Sequence, residues 1–258
     1  MEAGQLTGAK TDGDGALHKS GTGGLFLRAA TLSGSIVVGQ GALRLIEDLT
    51  DSDGVLTLRN GATLTSSNTA ARTVAKPVAA EGDVVLGHPG VYSGSLTLGD
   101  ALNLSGGAPT LYISNAVTVY GAVANGGFTK MGIATMTVAG ANTYVGDTTV
   151  GAGVLVVSGS STGSAHTVAS AGTLRGAGTV AALAISGAVD PANTAGAAGT
   201  LNVSAVTLNN GGVLRIDMPR ATNTAGADWD LLAATGDIAV PGSGSFIIQL
   251  AGAGEGFN

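Results

Sequence analysis

Short strand signals recur along the whole chain, and they constrain its fold more than any other feature. They run LFLR at 25–28, SIVV at 35–38, LRLI at 43–46, VLTLR at 55–59, SLTL at 95–98, TLYI at 110–113, VTVY at 117–120 and TMTV at 135–138. VLVV at 154–157, TLNV at 200–203, VTL at 206–208, VLRI at 213–216 and SFIIQL at 245–250 continue the series. Most alternate Thr, Ser or Asn with Leu, Val or Ile and are bounded by Gly, Asn, Asp or Ser, which is the pattern of half-buried strands between turns. Neighbouring signals commonly lie about ten residues apart, a spacing that suits a sandwich, a barrel or a β-helix.

Composition narrows the choice to a β-helix. The 258 residues include 44 Gly, 3% aromatic and 11% charged residues, with no Cys. Gly at that frequency argues against a large helical protein, since each helical Gly costs about 1 kcal/mol relative to Ala. The 44% apolar share argues against disorder,. Small side chains suit coils stacked at roughly 4.8 Å, and no strand signal is long enough for a broad twisted sheet. GAL, GVL, GAT and AGTL introduce strands at 41, 54, 61 and 171, an internal similarity of the kind solenoids show,. Two dozen strands at three per coil predict about eight coils in a rod near 40 Å long. Inward Leu, Val and Ile would stack from coil to coil, with Thr and Ser on the outer faces.

The chain is expected to be one continuous solenoid. Residues 1–127 read as degenerate coils, with a loop excursion or an imperfect coil near 66–82, where Pro77 suits a corner. Residues 128–258 contain the most regular repeat. Segments 189–199 and 217–228 are rich in turn residues. The N-terminus lacks the basic and apolar regions of a signal peptide. Both ends resemble the interior in composition, which reads as a fragment or processed piece. A pI near 4.8 speaks against nucleic-acid binding,.

Residues 128–159, FTKMGIATMTVAGANTYVGDTTVGAGVLVVSG, resemble the autotransporter-associated β-strand repeat of bacterial passenger regions. The matching positions are Lys130, Gly132, Met136, Val138, Gly140, Asn142, Tyr144, Gly146 and Thr148, then Leu155 and Val157; Ala134 stands where the pattern has Gly. A partial copy has Lys19, Gly21, Gly23, Leu25 and Leu27, without the Asn-Thr-Tyr half. AGTLRGAGTV at 171–180, GTLNV at 199–203 and GADWDLLAATGDIAV at 226–240 are similar to later coils of the family. The resemblance implies a right-handed parallel β-helix, secreted or displayed on the surface of a Gram-negative-type bacterium. It also implies that membrane contact comes only through an outer-membrane barrel or anchor beyond residue 258. In physical terms the motif builds turns. Gly140 and Gly146 permit tight corners, Asn142 bonds backbone or stacks with Asn of adjacent coils, and Tyr144 covers apolar side chains.

Candidate chemistry is sparse. Asp12 and Asp14 in DGDG, and Asp51 and Asp53 in DSDG near Glu47 and Asp48, place carboxylates beside Gly as Ca²⁺ sites do. Neither has the twelve-residue loop with its terminal Glu, so solvated turns are the expected reading. Asp228 and Asp230 flank Trp229 and suggest a sugar platform, but a Trp covering the last apolar layers accounts for them. Asp217 lies near Arg215 and Arg220, as a surface ion pair would. His18, His88 and His166 show no metal-ligand spacing,. No GxSxG elbow is present,. No catalytic, cofactor-binding or metal residue is therefore assigned, and no cofactor is expected. The expected role is a non-enzymatic stalk or passenger with adhesive contacts to host surfaces or polysaccharide, and with end-to-end or lateral self-association. The alternative is a carbohydrate-active β-helix enzyme, which would need paired carboxylates in a groove.

Overall fold

The computed structural model describes residues 4–7, 16–28, 32–105, 107–220, 224–240 and 242–252. Every strand pairing in it is parallel, and the chain winds as a β-solenoid of about nine turns. The expected fold class is therefore found, with slightly more coils than the strand signals suggested.

Each coil contributes short strands to three faces. On the first face, Leu17, Ile36, Leu56, Val78, Leu102 and Val123 lie over one another in register. The same line continues through Ser161, Val180, Val203 and Ala234. On the second, Leu25, Leu43, Leu64, Leu86 and Ile113 stack, and beside them runs a second line of Val84, Leu111, Lys130, Val150, Val168 and Ile185. On the third, Val74, Leu98, Val119, Val138 and Val157 do so. A three-residue strand with both ends inward gives the repeating buried–intermediate–buried pattern of Ile36–Val38, Val84–Leu86 and Val117–Val119. Each buried Leu or Val removes its apolar surface from water against the coils above and below, stabilising the stack by about 1.5–3 kcal/mol per side chain. Because backbone bonds run between coils, no coil is independent of its neighbours.

Segment 66–82 does not leave the stack. Val78–Glu81 is a strand paired on both sides, Arg72–Val74 pairs with Leu96–Leu98 and bridges Leu49 on its other side, and Pro77 turns the corner between them. Its Ser, Asn and Ala residues hid ordinary strands, because Val74, Val78 and Ala80 are enough to fill the inward positions. The genuine excursions come later. Residues 190–199 leave the third face after strand Ala188–Asp190 and return to the first at Thr200–Leu208, and in the next coil the chain leaves after strand Val213–Met218 and returns at Leu231–Ala234.

The two copies of the Lys-containing motif build similar turns at different corners, one after the first-face strand Leu17–Lys19 and one after the second-face strand Phe128–Met131. Gly21 and Gly132 both adopt positive φ, +74° and +82°, where a side chain is strained,. A Cβ on Gly132 would also lie 2.4 Å from the Ile113 carbonyl oxygen. Gly140 and Gly146 serve differently, being needed for close approach rather than for positive φ. A Cβ there would meet Gly121 O at 2.4 Å and Gly127 N at 2.2 Å.

Candidate functional site

The polar groups of the molecule fall into three sets: a network inside the coils, turn-building acids on the outside, and a buried cluster at one corner.

The interior network centres on the motif. Asn142 points inward, and its Oδ1 accepts from Val123 N at 2.8 Å, where neighbouring coils use a backbone carbonyl. Its Nδ2 donates to Ser161 Oγ at 3.1 Å. No ladder of Asn side chains forms, because the residues stacked around it are Val123 and Ser161. Tyr144 is buried edge-on against Phe128, with its hydroxyl 2.8 Å from Thr148 Oγ1. Thr148 continues to Ser164 Oγ at 2.9 Å. His166 stacks on Thr148 and bonds Ser164 O through Nδ1, while Nε2 is buried without a partner. Loss of hydration pulls its pKa down to about 4, against the Ser164 carbonyl and Asp147, which favour the charged ring,. The arrangement holds a neutral ring in place and offers no substrate access.

The acids singled out in the sequence serve turns. Asp51 Oδ1 accepts from Asp53 N at 2.8 Å and lies 3.7 Å from Lys76 Nζ, which also bonds Asp53 O. Glu47 pairs with Arg28 at 2.8 Å, and Asp48 accepts from Thr73 N at 2.9 Å. These four do not converge on one point, in agreement with solvated or capped turns. Asp12 and Asp14 lie outside the described residues. Asp228 accepts from Thr224 N at 3.1 Å, so it closes its own loop beside Trp229. His18 is exposed, and His88 packs edge-on against Tyr92.

Asp217 departs from expectation. It is buried rather than part of a surface ion pair, because the 190–199 excursion folds over it and Gly196 N donates to its Oδ2 at 2.8 Å. Asp230, in the next coil, accepts from Gly199 N at 2.9 Å and Asp217 N at 2.8 Å. Asp190, which opens the first excursion, holds Arg175 Nε at 3.0 Å with Oδ2, while Oδ1 is buried without a partner. One oxygen from each of these three aspartates lies within 4.8 Å of the others. Burial pushes the Asp230 pKa up to about 6, partly offset by backbone donors and reinforced by Asp190 and Asp217,. Burial likewise raises Asp190, against the pull of Arg175. Sequence reading noted both turn-rich segments and the DWD but did not join them, since nothing in spacing alone says that the two excursions share a corner.

Open surface is shallow by comparison. A depression of about 740 Å³ is lined by Gly126, Gly127, Phe128, Thr129, Asp147 and neighbours, and Asp147 is its sole carboxylate among the described residues. No helix among the described residues is long and apolar enough to cross a membrane. No family model, curated protein or solved structure matches the chain.

Proposed function

We propose that the chain is a structural, non-enzymatic segment: a β-helical stalk or passenger of a protein secreted or displayed on the surface of a Gram-negative-type bacterium. The observation that carries this reading is the parallel coil stack of the described residues, in which a surface depression of about 740 Å³ holds a single carboxylate. The motif residues at 128–159, which resemble the autotransporter-associated β-strand repeat, are engaged in corners and interior bonds. Such a rod transmits position rather than reactivity, and adhesion along it would draw on many weak contacts to host surface or polysaccharide. End-to-end or lateral association with other chains belongs to this reading, since unpaired strand edges readily pair with another chain.

A carbohydrate-active enzyme is the second reading, and the aspartate cluster is what favours it. A glycosidase places its two carboxyl groups about 5–9 Å apart on either side of a bound sugar. Asp190, Asp217 and Asp230 are instead buried together and bonded to backbone N–H groups and Arg175. The deciding experiment is antibody labelling of intact bacteria with protease shaving. The proposal expects labelling that the protease removes; labelling seen only after lysis would refute it.

A further inference from the structure

The Asp190, Asp217 and Asp230 corner carries more negative charge than its partners neutralise. Three carboxylates meet there, and among the described residues Arg175 is the cation hydrogen-bonded to them, with Arg215 near enough to favour the charge on Asp190. Asp190 is only 1% exposed, and with Oδ2 committed to Arg175 its unpartnered Oδ1 remains for the other two aspartates. A buried acceptor without a donor is costly, and surplus buried charge more so.

The geometry suits a particular class of ligand. Oxygens held 2.3–2.6 Å from a central Ca²⁺ lie up to about 5 Å from one another. One oxygen from each aspartate falls within 4.8 Å of the others. Asp217 also borders a cavity of about 260 Å³ with Gly196, Met218, Pro219, Ala251 and Gly252, which supplies a path and room for water ligands.

We propose that this corner binds a divalent hard cation of the Ca²⁺ class, with Asp190, Asp217 and Asp230 as its protein carboxylate ligands. The ion fastens the 190–199 excursion and the two ends of the next one, at Asp217 and Asp230, to the same corner. Asp217 and Asp230 already hold the first excursion by Gly196 N and Gly199 N, so the ion locks the one against the other. The inference stands apart from the stalk reading, since an enzyme could use the same ion.

Trp229, the sole Trp, adjoins Asp230 and reports on the site. Terbium added to the chain is expected to give saturable luminescence sensitised by Trp excitation and displaced by CaCl₂. Asp190→Asn and Asp217→Asn should each weaken that binding at least about tenfold, and Asp100→Asn should leave it unchanged, as expected for loss of one charged ligand of three. Should both cluster variants fail to fold, the wild-type melting temperature decides. CaCl₂ at about a hundred times Kd should raise it by about 5 °C over EDTA. No saturable signal, a signal indifferent to both folded variants, or a melting temperature equal in CaCl₂ and EDTA overturns the proposal.

Discussion

Lys19 and Lys130 bond their corners alike, although Lys19 closes the first face and Lys130 the second. Each extends its ammonium to the carbonyl oxygen two residues ahead, Gly21 O and Gly132 O, both at 2.6 Å, and to one in the following coil, Gln40 O at 3.0 Å and Ala152 O at 2.7 Å. Lys76 does a related thing, bonding Asp53 O beside the positive-φ Gly54. A corner built on a left-handed glycine turns carbonyls away from the coil-to-coil ladder, and the Lys head satisfies them while its stem fills the apolar interior.

That arrangement predicts a graded response at Lys130, which is fully buried. Lys130→Ala should lose about 2–4 kcal/mol in urea unfolding, from the cavity and the two unpartnered carbonyls. Lys130→Met should lose less, because it refills the space. Equal losses would mean that the stem contributes nothing.

The same residue sets a pH response. Burial lowers the Lys130 pKa to about 8, below its ordinary 10.5. Between those values the unfolded chain holds a proton that the folded chain has released, so stability rises as pH climbs from 8 to 10.5. Below pH 8 the desolvated charge opposes folding. Lys130→Met should flatten this rise in melting temperature, and an unchanged slope would place the titration elsewhere.

His166 acts on the acid side. Its folded pKa of about 4 lies under the ordinary 6.5, so the unfolded chain takes up a proton first as pH falls. Stability is full above 6.5 and is lost between 6.5 and 4, by at most about 3 kcal/mol. His166→Leu should shrink the loss measured over that window; a loss as large as in wild type would exclude His166.

The motif glycines separate strain from crowding. Gly21→Ala meets open space and should cost about 1–2 kcal/mol for its positive φ alone,. Gly132→Ala adds a clash with the Ile113 carbonyl and should cost clearly more. The comparison is read from paired urea midpoints, and equal costs would contradict the close approach.

Much of the scaffold was legible in the sequence. Alternation such as Ser-Ile-Val-Val and Ser-Leu-Thr-Leu named strands at 36–38 and 96–98 because inward and outward positions differ chemically,. The coil at 66–82 was not legible, since Ala80 and Ser66 fill inward places without apolar bulk. The role of Asn142 was legible from its motif, which places an inward Asn against backbone, and it bonds Val123 N. The role of Lys130 was hidden, because periodicity assigns a Lys to solvent and only the stacked neighbours show that backbone carbonyls await it inside. Asp190, Asp217 and Asp230 come together through two loops whose lengths say nothing about where they fold.

The structural role is tested most directly by incubating the chain with a panel of neutral and acidic polysaccharides, with and without CaCl₂, and measuring released reducing ends and unsaturated uronides. A stalk releases none under either condition. Release that disappears in Asp217→Asn, with that variant folded, would contradict the account and make the buried corner a catalytic centre.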